Sequence, residues 1–415
     1  MAAALCLAGA GARADSTDDI VSGNAANDRG DYDRALAFYS SALQDKELGT
    51  VEQATAYDGR GVALLGKGDA EHALVDLRKA VQIMPTFAAA LSNLGNALLS
   101  RGQFDEAIAS YNRALALDPR IVKAYNNRGS AYYAKGDTAH AIADFSKALS
   151  VKPKYVTALL GRGAAYQQAG SYDLAIADLN RALVLQPDDP YVYNNRGNAY
   201  ASKGDYRHAI ADLSHSISLL PPTARVQLAQ VYRSRASAWS DQGKTTQALA
   251  DYTQALALVP GDVAASRSRG LLYLEANQPK LALADFNAVL AQAPTQSYVL
   301  LWRYLARVQL QEDAGPELAG ASGTSRDWPY PVLAYYQHAV SIEQLQAAVK
   351  DVNPGRQRGQ QCEAATYVGF FALVHGENDK AGKMLREAVQ ICPHAYDEYD
   401  LARAGLAQLG HKPAT

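Results

Sequence analysis

The 415 residues predict an all-α solenoid of helix-turn-helix units, and three recurrences predict it. Glycines stand 34 residues apart at Gly61, Gly95, Gly129, Gly163 and Gly197. An alanine follows each by twelve residues, at Ala73, Ala107, Ala141, Ala175 and Ala209. A proline closes most units, at Pro85, Pro119, Pro153, Pro187 and Pro221. A fixed period of roughly 20–50 residues marks stacked units, none of which buries its apolar face alone.

Units begin near Ser16, Ala54, Ala88, Val122, Val156, Pro190, Ala229 and Val263. Four extra residues separate the first from the second, and five follow the sixth, around Pro221-Pro222. Each unit reads as two short helices with apolar residues at i, i+3, i+4 spacing. Counting from the start of a unit, small residues at positions 8, 20 and 27 let the two helices approach. A ring at position 24, such as Tyr111, Phe145, Tyr252 or Phe286, fills the gap beside them. Gly68, Gly102, Gly136, Gly170 and Gly204 sit where the first helix must stop and turn. The prolines end the second helix. A further unit runs from Cys362 to Pro393, with Gly369, Gly376, Ala381 and Ala388 in register.

The unit from Lys123 to Pro153 carries Tyr125, Gly129, Tyr132, Gly136, Ala141, Phe145, Ala148 and Pro153 at positions 4, 8, 11, 15, 20, 24, 27 and 32. This pattern resembles the tetratricopeptide repeat (TPR), and the resemblance covers most of the chain. It implies a right-handed superhelix whose first helices line a concave groove for another chain. The organisation expected is a leader at 1–14, eight repeats at 15–295, a degenerate helical segment with loops at 296–361, and a terminal repeat with a tail at 362–415.

Comparing the repeats with one another shows a paired pattern. Position 7 is Arg60, Arg128, Arg162, Arg196, Arg235 and Arg269, while position 23 of the same units is Asp76, Asp144, Asp178, Asp212, Asp251 and Asp285. Where position 7 is Leu94, position 23 is Ser110. The two positions lie at about the same height on opposing helices, so we read structural ion pairs within each hairpin. The competing reading is an arginine ladder that grips a ligand.

The formal net charge of −2 and the lack of any lysine- or arginine-rich run argue against a nucleic-acid partner. No apolar run reaches membrane-spanning length. The apolar stretch from Ala2 to Ala12, followed by Ala12-Arg13-Ala14 and Asp15, is similar to the second half of a secretory signal with its cleavage site. The expected location is the periplasm or the exterior. Cys6 raises an outer-membrane lipoprotein as the alternative, although Leu5 before it departs from the lipid-attachment pattern. The cytoplasm follows if the segment is no signal. Cys362 and Cys392 fall at the start of the first helix and the end of the second helix of the terminal hairpin. Those ends lie side by side, which predicts a disulfide in an oxidising compartment; two buried free thiols are the alternative.

No catalytic motif stands out: there is no GxSxG, HExxH or GxxxxGK, so no enzyme, metal or cofactor is expected. His72, His140 and His208 recur in alternate repeats, too far apart to share an ion, and read as solvent-facing. Family groove positions 2, 5, 6, 9, 12 and 13 select Asn93, Asn96, Lys123, Asn126, Asn127, Ser130, Tyr133, Tyr191, Asn194, Asn195 and Asn198 as a peptide-binding face. An asparagine amide donates and accepts at once, which suits an extended peptide backbone. A merely solvated face is the bland alternative, and Gly59 and Gly161 interrupt the series.

After Pro294 the repeat degrades. Leu300 to Ala306 reads as a helix, Glu312 to Arg326 as a Gly/Ser/Ala-rich loop, and Trp328 to Val349 as helical segments. Asn353 to Gln360 reads as a polar break before the last repeat, which ends in Tyr396–Tyr399. This region resembles the C-terminal half of bacterial envelope lipoproteins of the NlpI type. That resemblance implies an adaptor that dimerises and presents cell-wall enzymes to proteases. The expected function is a non-catalytic adaptor of the cell envelope, its partner a protein or peptide such as an envelope protease or cell-wall hydrolase. The alternative is an assembly scaffold that works through its end repeats.

Overall fold

The computed structural model describes residues 16–315, 318, 328–349, 351, 353–393 and 396–410. The expected leader lies outside the described residues, as does most of the loop before Trp328. Among the described residues every regular element is a helix. The chain divides into two compact units, Met1–Asp212 and Leu213–Thr415.

In the first unit, successive antiparallel hairpins follow the 34-residue period. A helix at 16–28 pairs with Tyr32–Ala42, and Thr50–Gly66 with Ala70–Ile83. Ala88–Ser100 pairs with Phe104–Leu117, Val122–Ala134 with Thr138–Val151, and Val156–Gln168 with Tyr172–Leu185. Pro190–Ser202 opens the next repeat. Second helices begin where an aspartate can cap: the carboxylates of Asp31, Asp69 and Asp137 accept from the backbone N–H three residues on. The turns need a left-handed residue, as at Gly136 with φ 79°. Rings and leucines at position 24 fill the interior: Tyr39, Leu77, Tyr111, Phe145 and Leu179 are buried. The glycines beside them are required by space. A Cβ on Gly95 would stand 2.6 Å from the Tyr111 ring, and one on Gly161 2.5 Å from Phe145.

In the second unit, Arg225–Asp241 pairs with Thr245–Leu258, and Val263–Glu275 with Pro279–Gln292. The extra residues between repeats add a turn to the following helix. Thr50–Gly66 and Arg225–Asp241 each have 17 residues, against 13 in Ala88–Ser100. Ser297–Gln309 then packs with Pro354–Val374 and with the short helices Tyr330–Tyr336 and Ile342–Ala348 around one aromatic core. Tyr304, Tyr335 and Tyr336 surround Phe371 there.

Two features of this region differ from the sequence reading. The stretch Asn353 to Gln360 is no break, because Asn353 caps and Pro354 opens the helix Pro354–Val374. Proline fits a helix at its first turn, where its missing N–H has no partner to lose. The tail after the last hairpin, Pro354–Val374 with Asn378–Ile391, is a further helix, Asp397–Gln408. Its acidic first turn favours helix initiation, and Leu401, Ala402 and Leu406 bury one face.

Candidate functional site

The six arginines at position 7 each meet the aspartate sixteen residues on. In all six, Nε donates to one carboxylate oxygen at 2.7–2.8 Å and Nη2 to the other at 2.7–2.9 Å. The aspartates are buried and the arginines largely so. A bidentate fork of this kind adds direction as well as energy. Hydrogen bonding to the aspartate pushes each guanidinium pKa further up, against the cost of burial. A tyrosine ring lies against each guanidinium, as Tyr125 does against Arg128 at 5.6 Å.

The third nitrogen does something the sequence reading missed. Nη1 reaches back to position 25 of the preceding repeat: Arg60 to Ser40, Arg128 to Asn112, Arg162 to Ser146, Arg196 to Asn180, Arg235 to Ser214 and Arg269 to Thr253, at 2.5–3.4 Å. Each arginine therefore joins its own hairpin to the hairpin before it. The degenerate helix keeps the same link, Arg303 to Asn287 at 3.3 Å. The signal was in the sequence. Position 25 is a small polar acceptor before each of these arginines, and it is Arg78 before Leu94.

The asparagines on the first helices are largely committed to one another. Asn127 Nδ2 donates to Asn96 Oδ1 at 2.8 Å, and the Tyr111 hydroxyl donates to the same oxygen at 2.8 Å. Asn126 Nδ2 donates to Asn127 Oδ1, and Ser130 Oγ to the Asn126 carbonyl. Asn93 Nδ2 donates to Asp58, whose carboxyl burial pushes up to about 6. In the first repeat Asn24 accepts from Tyr39, and Asn27 donates to the Gly59 carbonyl. Asn126 and Asn194 are buried, while Asn195 and Asn198 are half-buried. The exposed members of the expected face are Lys123, Tyr133 and Tyr191. Much of the polar ladder thus works between neighbouring repeats. The interruption at Gly59 and Gly161 has a packing cause, since the Tyr39 and Phe145 rings occupy the space of a side chain.

His72, His140 and His208 are exposed, each ring held 2.7–2.8 Å from the aspartate that caps its helix. Among the described residues no group of three or more His, Cys, Asp or Glu could hold a metal ion. No described helix is long and apolar enough to cross a membrane. Cys362 and Cys392 are joined as a disulfide with Cα atoms 4.7 Å apart. Cys392 caps the second helix as expected, but Cys362 lies about two turns inside the first helix and not at its start, because that helix already begins at Pro354.

Sequence profiles described as TPR repeat or tetratricopeptide repeat match residues 95–136, 126–190, 162–236 and 234–297. This is a tetratricopeptide repeat protein. A TPR protein from Parabacteroides merdae ATCC 43184 is 22% identical, covering 62% of this chain and 98% of its own, with a TM-score of 0.48. The Cut9–Hcn1 hetero-tetramer of APC/C is 19% identical, covering 66% of this TPR protein and 52% of that chain, with a TM-score of 0.51. YrrB, described as a TPR protein with an unusual peptide-binding site, is 22% identical over 46% of this chain and 97% of its own, with a TM-score of 0.38. The Cut9–Hcn1 likeness speaks for the fold.

Proposed function

We propose that this protein is a non-catalytic adaptor of the bacterial cell envelope that holds a segment of a partner protein in the groove lined by its first helices. TPR repeats indicate a protein-interaction role, and the finer reading rests on one observation. The arginine joints fasten each hairpin to the second helix of the one before it while leaving Lys123, Tyr133 and Tyr191 exposed on the expected groove positions. A cation and two flat rings on a rigid face suit an extended partner, because rigid aromatics lose little conformational freedom on binding. The disulfide in the terminal repeat supports an oxidising compartment, hence export to the periplasm. An envelope protease or cell-wall hydrolase is the partner class that such a location offers.

The internal pairing of Asn96, Asn126 and Asn127 favours a second reading, a scaffold whose end repeats make the contacts. One experiment separates the two. Residues 15–415 serve as bait against a native envelope fraction, beside the variant Lys123→Ala, Tyr133→Ala, Tyr191→Ala. These side chains are exposed, so their loss leaves the asparagine network in place. A protease or hydrolase captured by the parent and lost from the variant supports the groove. Equal capture by both baits moves the function to the ends of the chain.

A further inference from the structure

The second unit contains an interface that brings acid against acid. Asp241 and Glu275, the last groove positions of the seventh and eighth repeats, line a cavity of about 110 Å³ together with Asp397 and Asp400 of the terminal helix. Ser237, Ser240 and Ser268, also groove positions, add to its polar wall, with Tyr252 and Tyr396 beside them. On the other side of the same helical turn, Glu398 is 8% exposed, and the Tyr367 hydroxyl donates to its Oε1 at 2.9 Å. Tyr367 in turn accepts from Trp302 Nε1 at 3.0 Å. Glu363 stands nearby and accepts from Tyr298 and Trp328. The second half of the helix is held differently: Leu401 and Leu406 are buried, and Gly405 sits against Leu385 and Phe370.

We propose that the first turn of helix Asp397–Gln408 is a pH-dependent latch over the groove of the seventh and eighth repeats, closed in acid and loosened as pH rises. The consequence for partner access rests on the groove reading above; the latch itself does not. Glu398 is buried and docks most readily when protonated, because its charge costs desolvation. The cavity carboxyls are more open, Glu275 half-buried and Asp241, Asp397 and Asp400 exposed, and act chiefly by repelling one another.

The carboxyls of Asp241, Glu275, Glu363, Asp397 and Glu398 all shift upward, and from helix Thr245–Leu258 comes Tyr252 at the cavity wall, its hydroxyl likewise raised by burial. From helix Arg225–Asp241 comes Asp241, exposed at the cavity mouth, and from Val263–Glu275 comes the half-buried Glu275; partial desolvation at the cavity, then the charges of Asp400 and Asp397, push both carboxyls up. Partial desolvation at the cavity also raises the exposed Asp397, with Arg267 of helix Val263–Glu275 pulling the other way. From Pro354–Val374 come Tyr367 and Glu363, the latter raised by burial against the Trp328 and Tyr298 bonds. Helix Asn378–Ile391 meets the terminal helix through Leu385. Asp400 has Arg403 of its own helix 4.0 Å away. Burial, then the Glu363 charge, push the Glu398 carboxyl from 4.5 up to about 7, with the Tyr367 bond lowering it.

A released turn returns Glu398 to its ordinary value. The docked state therefore holds the proton more tightly than the released one. Closure is strongest below pH 4.5, weakens as pH climbs toward about 7, and changes no further above that on account of this group. A shift of that size corresponds to roughly 300-fold in the closing equilibrium.

The test is amide exchange of the full chain at pH 5 and pH 8, corrected for intrinsic rates. Segments 237–241, 271–275 and 397–402 are expected to exchange at least about tenfold faster at pH 8, while 403–408 hold their protection. Glu398→Gln keeps an acceptor for Tyr367 and is expected to flatten the pH dependence. Should that variant not fold, Asp241→Asn with Glu275→Gln relieves the seam from the groove side and is expected to raise protection at pH 8. Equal protection at both pH values in the parent overturns the latch, as does an undiminished pH dependence in the folded variants. Neither readout involves a partner, so the latch and the groove reading fail separately.

Discussion

The third repeat and the fourth are built as the same hairpin, yet they are fastened differently. In the fourth, Arg128 binds Asp144 within the hairpin and Asn112 in the repeat before. In the third, Leu94 is buried where the arginine would be, Ser110 replaces the aspartate and bonds the Glu106 carbonyl, and Arg78 replaces the backward acceptor. Arg78 lies instead near Glu106, 3.8 Å away. The three positions change together because they share one joint. An arginine at position 94 would meet Arg78 where its siblings meet serine, asparagine or threonine. A repeat can close with apolar contact alone, so the arginine joint is one way to set the geometry of a hairpin and not a condition for folding.

The comparison breaks most severely when half of a joint is removed. Asp144→Ala strands a mostly buried guanidinium and is expected to cost about 3–5 kcal/mol, read as a lowered urea midpoint with early loss of amide protection in the fourth repeat. The converse change, Leu94→Arg, places a new charge between Ser110 and Arg78 and is expected to cost about 3 kcal/mol. Adding Ser110→Asp and Arg78→Ser should recover all but about 1 kcal/mol of that. The smallest change is Asn112→Ala, which removes only the backward acceptor; about 1 kcal/mol is expected. Its effect should appear as faster exchange where the third and fourth repeats meet, with the fourth hairpin itself unchanged. If Asn112→Ala instead loosens Arg128 from Asp144, the joint is a single cooperative network.

The hairpins and the register of Arg60–Asp76 and its equivalents were legible because a 34-residue period exposes every departure from itself. Leu94 opposite Ser110 sufficed to show that the pairing lies within a repeat. The backward contact to position 25 was also written there, in Arg78, but it requires knowing which side chains stand level across adjacent repeats. The groove was read less well. Asn96 and Asn127 look alike from sequence whether they face a ligand or each other, since an amide satisfies itself against another amide. Helix Asp397–Gln408 escaped notice because it lies after the last proline of the period and repeats nothing. The stretch from Asn353 looked like a break for its polarity, although Asn-Pro is equally a helix start.

The most direct test of the central claim, that the arginines are joints and not ligand contacts, copies the third repeat's solution into the fourth. The variant is Arg128→Leu, Asp144→Ser, Asn112→Arg, measured for urea midpoint and for capture of envelope proteins beside the parent. The variant is expected to fold within about 1 kcal/mol of the parent and to capture the same partners. A variant equally stable but stripped of its partners would contradict it and make Arg128 part of the binding face.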